Sequence, residues 1–444
     1  MAWYKDKIFW LIVTAATAVR FAFGIYLFIA GSLGEQVLVF PDSLGYVYPA
    51  QTLLTYGSLW EAVSAAPMLL RTPGYPVFLA LVQFLSGNVT WAVAVAQNIL
   101  AILVLVPVYL SGSLLGGRPT ARLAAGFCAT SVLYFSLSFA VLTETLCAFL
   151  VAWFVYLALR WLENQRGRDL LVAALLLAAA TYVRPVVYYF IPVAFALLIG
   201  YAWKHHARAL FIQAVCYFLV PLVISVGAWQ VRNYIQTGYG GFTSVGAYNL
   251  YIWNEDFVAK QNNISVAQAH QLLEKALPPD FNNLPAREQV KTYQQLAQPL
   301  LQQSWTYKLS RLPLWAGKTL LGTNQAHLTR LLLGRQYTPD IPLNQTEALP
   351  QPWLQTGLEK ILFIIAFVQV SAVVWWGICG LWISRKKYPA QAVFLTVYTG
   401  YFWLLGSSFL GAYARFRAPF EFVLCFTAAL AVQACYARKP NALP

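Results

Sequence analysis

The chain has 444 residues, of which 59% are hydrophobic and 10% charged, against about 25% charged in soluble domains. With a mean hydropathy of +0.58, this excludes one large soluble core and requires many membrane spans. The formal net charge of +14 invites a nucleic-acid partner, yet the bases stand singly or in short clusters between apolar runs. Cytoplasmic loops of a membrane protein look like this, so no nucleic acid is expected.

Met1–Lys7 precede an apolar run reaching about Ala30, longer than the roughly 7–15 residues of a signal-peptide core. The segment 8–30 therefore reads as a retained signal-anchor span, with Lys5 and Lys7 on its inner flank. Residues 31–88 carry Glu35, Asp42 and Glu61 but a single base, Arg71, which suits an exterior loop. Inside that loop Tyr75–Leu85 is apolar but too short to span, and the Pro73-Gly74-Tyr75-Pro76 turn would steer it along the membrane surface.

Further spans are expected near 89–111, 121–141, 144–162, 170–184, 186–203 and 209–230. Arg118 and Arg122, Arg166 and Arg168, and Lys204 and Arg208 mark inner loops, whereas Thr143-Glu144-Thr145 and Val183-Arg184-Pro185 mark tight outer turns. An inside N-terminus satisfies the positive-inside rule at every short inner loop. Residues 231–356 form the extended polar region, with ten bases and seven acids, and the span count puts it outside. Val266–Ala276 and Glu288–Gln303 read as helical there, and Leu312–Leu333 as an amphipathic surface helix. Three spans follow near 358–383, 389–410 and 418–437, with Arg385-Lys386-Lys387 and Arg438-Lys439 inside and Tyr413-Ala414-Arg415-Phe416-Arg417 outside.

The expected architecture is an all-α integral membrane bundle of about ten transmembrane helices, with exterior loops carrying short amphipathic helices. It divides into an N-terminal module over 1–230, an exterior region over 231–356 and C-terminal helices over 357–444. Both termini are expected in the cytoplasm. The six cysteines, Cys128, Cys147, Cys216, Cys379, Cys425 and Cys435, lie in apolar segments without CxxC spacing. They read as small buried hydrophobes, and neither a disulfide framework nor a zinc site is indicated.

With the inner-loop bases set aside, the remaining unusual charges are Asp42, Arg71, Glu144, Arg184, Arg232, Arg415 and Arg417. The topology returns all of them to one membrane face. Few carboxylates among many arginines at a lipid–water boundary suit an anionic lipid head group, with guanidinium forks on phosphate and a carboxylate to handle a proton. Simpler roles exist for each. Asp42 can cap a helix beginning at Ser43, and Glu144 can be a helix-start acid behind Thr143. Arg417 can pair with Glu421 four residues on, and Arg184 and Arg71 can snorkel. Arg20, inside the first span, calls for a buried structural partner. Asp42 and Glu144 are hard ligands compatible with magnesium or manganese, and neutralisation by arginines alone is equally compatible. The many Trp and Tyr residues, Tyr46, Tyr75 and Trp253 among them, suit interfacial belts.

These residues carry a resemblance. Pro41-Asp42-Ser43-Leu44-Gly45-Tyr46, followed by Arg71-Thr72-Pro73-Gly74-Tyr75-Pro76, resembles the first exterior loop of polytopic GT-C glycosyltransferases. Thr143-Glu144 stands where that group has its second acidic motif. Trp229-Gln230-Val231-Arg232-Asn233-Tyr234 and Gly246-Ala247-Tyr248-Asn249-Leu250 are similar to the segment after the seventh span, and Arg415-Phe416-Arg417-Ala418-Pro419 to a late exterior motif. The protein O-mannosyltransferase-like and aminoarabinose-transferase-like enzymes are the nearest in kind. True protein O-mannosyltransferases carry an Asp-Glu pair where this chain has Asp42-Ser43, a departure that bears on whether the acceptor is a protein.

The resemblance implies an inverting transfer of a sugar from a polyprenyl-phosphate donor to a glycan, lipid or protein acceptor on the exterior, periplasmic face of a plasma membrane. It implies Asp42 as general base, with Glu144 orienting the acceptor or holding a metal. Arg415, Arg417, Arg232, Arg184 and Arg71 would hold the donor phosphate. Tyr46, Tyr75, Asn233 and Asn249 would contact sugar or acceptor. Two other classes stay open. A lipid-linked polysaccharide polymerase or ligase would need a pyrophosphate donor. A lipid flippase or transporter predicts repeated halves and polar residues at the bilayer midplane, and no repeat is visible.

Overall fold

The computed structural model describes residues 3–31, 40–61, 66–87, 89–333, 357–408 and 413–437. Glu35 and the inner cluster Arg438-Lys439 lie outside the described residues. Helices dominate what is described. The first, α1 (Lys7–Ile29), is capped by Asp6, whose carboxylate accepts from the Ile8 and Phe9 amides and holds Arg122 at 2.9 Å. Two shorter helices follow, α2 (Pro41–Tyr56) and α3 (Gly74–Ser86), joined through an antiparallel bridge between Trp60 and Pro67.

Next come α4 (Val89–Leu103), α5 (Leu105–Ala129), α6 (Val132–Leu137), α7 (Glu144–Asn164) and α8 (Gly167–Val183). Gly117 breaks α5 with φ +76°, a conformation that costs glycine little, and Gly112 faces Ala121 across the resulting turn. The inner loop expected at Arg118 is therefore a tight helical hairpin. The expected span 121–141 is also divided, into the second arm of α5 and the six-residue α6.

A one-turn α9 (Pro185–Tyr188) and α10 (Phe190–Lys204) lead to α11 (Arg208–Gln213), a π-helical stretch over Ala214–Leu219 and α12 (Val220–Thr237). The region expected outside contributes α13 (Val245–Ile252), α14 (Glu255–Asn262), α15 (Val266–Lys275), α16 (Ala286–Leu321) and α17 (Gln325–Leu332). Leu312–Leu333 is thus not one helix. Its first part ends the 36-residue α16, and Asn324, at positive φ, turns the chain into α17. The C-terminal helices are α18 (Gly357–Lys387), α19 (Pro389–Ser408) and α20 (Ala418–Ala437).

The chain is an integral membrane protein of nearly all-helical build. Among the described residues, seven helical runs are long and apolar enough to cross a membrane, one of them the 39-residue run Trp91–Ala129 that contains the hairpin. The 17-residue α8 and the 20-residue α19 stand where two more spans were expected. Large apolar side chains also face outward, among them Phe28, Trp203, Ile224 and Trp375, as lipid-facing helices require. The main core gathers α5, α7, α8 and α20, and α20 packs hardest against α5 and α18. A second, smaller core of Tyr251, Ile252, Val258, Ala269, Leu273 and Ala297 holds α13 to α16 together. Cys128, Cys147 and Cys425 are buried within the protein, whereas Cys216 and Cys435 face outward from apolar helical runs long enough to cross a membrane.

Arg20 finds neutral partners. Its guanidinium donates to Asn98 Oδ1 at 3.0 Å and to Ser138 Oγ at 2.7 Å.

Candidate active site

The N-terminus of α2 sets the site. Phe40 is the N-cap and Asp42 lies inside the first turn, so Asp42 is not the cap that its sequence position allowed. Ser43 anchors that turn: its hydroxyl accepts from the Phe40 amide at 2.8 Å and donates to the Val141 carbonyl at 2.7 Å. That bond ties α2 to the segment leading into Thr143 and Glu144, at the start of α7. Where an Asp-Glu pair would put a second acid, this chain has a fully buried hydroxyl.

The Arg71-Thr72-Pro73-Gly74-Tyr75 segment docks against the end of α8. Thr72 donates to the Val183 carbonyl at 3.1 Å. A Cβ on Gly74 would meet the Tyr182 carbonyl carbon and oxygen at 2.7 Å, so only glycine permits this approach. Val183 precedes Arg184, which is extended before Pro185, the conformation a following proline favours. The docking therefore brings the segment that follows Arg71 against the turn that carries Arg184.

Five charged residues meet there. Asp42 Oδ1 lies 3.0 Å from Arg71 Nη2 and Oδ2 lies 2.8 Å from Arg415 Nη2. Glu144 Oε1 lies 2.8 Å from Arg184 Nη1 and 3.9 Å from Arg415 Nε. Arg415 thus bridges the two carboxylates, which were expected on one face and stand in one network. Three guanidiniums against two carboxylates leave one positive charge over. Burial alone would raise the Asp42 pKa, but the Arg415 and Arg71 charges outweigh it and hold the carboxyl well below its usual range. The Asp42 side chain keeps 33% exposure and Glu144 keeps 2%, so Asp42 is the carboxylate open to a visiting molecule.

Aromatic rings seat the arginines. Arg71 rests over Tyr46 at 5.0 Å and reaches its hydroxyl at 3.4 Å. Arg184 and Arg415 rest over Phe416 at 5.9 and 5.5 Å. Phe416, set between two arginines of interest, was the overlooked member of that motif. Tyr248 on α13 is another missed neighbour. Burial raises its pKa, and it interacts electrostatically with Arg71 and Asp42; an aromatic next to Asn249 gave no signal beyond the motif itself.

Other expected residues stand elsewhere. Arg417 is nearly fully buried, paired with Glu421 and donating to the carbonyls of Thr319, Leu320 and Gly322 at the end of α16. Arg232 donates to the Met68 carbonyl at 2.8 Å and to Asn233 Oδ1 at 3.0 Å. Asn233 is fully buried and donates to the Gly241 and Phe242 carbonyls. Tyr75 is buried too, and its hydroxyl bonds Gln97. Asn249 is half-buried on α13.

The set does not fit a divalent cation well. Both carboxylates already face guanidiniums, and among the described residues no group of three or more His, Cys, Asp or Glu is placed to hold a metal. A cation there would add charge to a positive network.

In sequence, residues 70–229 match the model of a family described as dolichyl-phosphate-mannose-protein mannosyltransferase. No curated protein matches the chain significantly. In structure, the archaeal oligosaccharyltransferase AglB of Archaeoglobus fulgidus, solved with an inhibitory peptide and a dolichol-phosphate, aligns with 98% of this chain and 51% of its own at 13% identity and a TM-score of 0.49. ArnT from Cupriavidus metallidurans, solved with undecaprenyl phosphate, aligns over 96% of this chain and 79% of its own, at 15% identity and a TM-score of 0.40. The arabinosyltransferase EmbB from Mycobacterium smegmatis aligns over 95% and 41%, at 14% identity and a TM-score of 0.34. The chain spans about half the length of the archaeal enzyme it matches. The family match includes Arg71, Glu144 and Arg184 and leaves Asp42, Arg232 and Arg415 outside it. Over residues 70–229 the chain is thus similar to the GT-C glycosyltransferases, the resemblance its motifs carry.

Proposed function

We propose that the chain transfers a sugar, with inversion, from a polyprenyl-phosphate donor to a hydroxyl of an exterior acceptor, at the Asp42–Arg415–Glu144 network. The observation that carries this reading is the single positive charge left over by Arg71, Arg184 and Arg415 around Asp42 and Glu144. A sugar-linked phosphodiester bears one negative charge and matches it. As the anomeric C–O bond breaks, the electron pair leaves with the phosphate oxygen. The polyprenyl phosphate gains charge, and guanidiniums already in place stabilise it.

Asp42 takes the proton of the acceptor hydroxyl as that oxygen bonds the anomeric carbon. Its two ion pairs make it a weak base before the donor binds, because an effective base has a pKa near the working pH. A donor phosphate competes for Arg415 and Arg71, so binding of the donor frees the carboxylate for its task. Glu144, buried and shared between Arg184 and Arg415, is a positioning residue here. Arg417 and Asn233 belong to the scaffold, and the phosphate set contracts to Arg415, Arg71 and Arg184. Both termini lie in the cytoplasm in this reading, with the network on the opposite face.

Binding of undecaprenyl phosphate to the purified full chain tests the assignment. Arg415→Gln is expected to weaken it by about tenfold or more, since truncating one member of a buried charge pair costs on the order of 2 kcal/mol. Unchanged affinity in a folded Arg415→Gln protein would remove Arg415 from the donor site.

A further inference from the structure

A second cavity lies at the other end of α2. It has a volume of about 440 Å³ and is lined by Leu53, Ser58, Trp60, Pro67, Arg232 and Gln236, among others. Fifteen residues of helix separate Asp42 from Gly57 at its rim, about 22 Å at the rise of an α-helix. The wall is firmly built. The Trp60 amide donates to Thr52 Oγ1 at 3.2 Å, Met68 N donates to the Leu59 carbonyl at 2.9 Å, and Trp60 pairs with Pro67. Tyr56 stacks on Trp60 at 5.0 Å and 16°, and Trp229 carries Arg232 at 4.5 Å.

The chemistry of this cavity differs from that at Asp42. Arg232 spends Nη1 on Met68 and Asn233, and its charge is opposed by Glu61. Glu61 is itself held by the Leu69 and Leu70 amides at 2.6 Å. The local charge is therefore balanced, unlike the positive network that suits phosphate. What remains is an aromatic ring beside the planar, multidentate donors of Arg232 and Gln236 and the hydroxyl of Ser58. Such a set recognises a ring with one apolar face and a rim of hydroxyls.

We infer that this cavity binds a neutral saccharide unit of the acceptor, remote from the hydroxyl that reacts at Asp42. The inference rests on the transferase reading above and narrows its acceptor to a glycan. Arg232, expected on the donor phosphate, serves the acceptor instead.

The test uses the detergent-solubilised full chain and the neutral trisaccharides maltotriose, mannotriose and triacetylchitotriose, read by saturation-transfer NMR, with undecaprenyl phosphate measured in parallel. At least one trisaccharide is expected to bind saturably. Trp60→Ala and Gln236→Ala are each expected to weaken it about tenfold while undecaprenyl phosphate binds as before. Ser58→Trp, which puts a bulky side chain into the lining, is expected to abolish it, and it keeps the test decisive if Trp60→Ala fails to fold. The inference is overturned if no trisaccharide binds a protein that still binds undecaprenyl phosphate, or if binding survives the folded variants. Displacement of the trisaccharide by inorganic phosphate also overturns it, because the cavity is then an anion site. Saccharide binding without undecaprenyl phosphate binding would leave this site standing and bring down the donor assignment instead.

Discussion

Arg415 and Arg417 stand two residues apart on one 3-10 turn, and burial separates their work. Arg415 keeps 17% exposure between two carboxylates, whereas Arg417 keeps 1% and is spent on Glu421 and three carbonyls. Those carbonyls close the last turn of α16, where a helix leaves acceptors without partners. Ser131 holds the other oxygen of Glu421 at 2.6 Å. Arg417→Met should therefore strand a buried carboxylate and cost about 3–5 kcal/mol, seen as a clear loss of thermal stability in detergent. Arg415→Gln, which leaves Asp42 paired with Arg71 and Glu144 with Arg184, should cost less stability than that and lose donor affinity. If the two variants behaved alike, the division of labour would be wrong. The sequence offered both possibilities for Arg417, its i, i+4 spacing from Glu421 and its place in the late motif. Only the approach of α16, nearly a hundred residues away, decides between them.

Elements explain how separate motifs become one network. Ser43, Thr72 and Gly74 carry no charge, yet they dock α2 and the Arg71 segment onto the starts and ends of α7 and α8. Their importance was visible only as company for Asp42 and Arg71, because a docking bond to a backbone carbonyl leaves no pattern in sequence. Helix ends were legible where local chemistry writes them. Ser265 and Gln268 form a capping box at the start of α15, and Gly117 marks the hairpin in α5. The break between α16 and α17 was not, since an apolar run of intermediate hydropathy continues across it.

Helices α14 and α15 share a pH-dependent tie. His270 on α15 lies 3.0 Å from Glu255 on α14 and 3.3 Å from Glu274. Its pKa is raised from 6.5, first by the Glu255 hydrogen bond, which outweighs burial. A raised folded-state pKa means that the stabilisation is fully present below about pH 6.5 and is lost as pH rises through the higher folded value. Hydrogen exchange in α14 and α15 should therefore quicken from pH 6 to pH 8 beyond its intrinsic pH trend, and Glu255→Gln should flatten that excess. An unchanged excess in the variant would place the titrating group elsewhere.

At the scale of the whole molecule, composition and the spacing of bases were enough to reach an all-helical membrane bundle, because lipid accepts only helices or closed barrels. Asp42, Arg71, Glu144, Arg184 and Arg415, far apart in sequence, meet in contact. Arg232 instead bonds the Met68 carbonyl, and Arg417 lies inside the scaffold. Topology brings residues to one face, whereas packing decides which of them touch.

The central claim is that Asp42 takes the proton of the acceptor hydroxyl while its arginines hold the donor phosphate. The direct test is carrier release from undecaprenyl-phosphate sugars in proteoliposomes, comparing the full chain with Asp42→Asn. The account predicts release by the unmodified protein and a loss of at least a hundredfold, about 2.7 kcal/mol of transition-state stabilisation, in a variant that still binds undecaprenyl phosphate. Release by Asp42→Asn at the unmodified rate would contradict it.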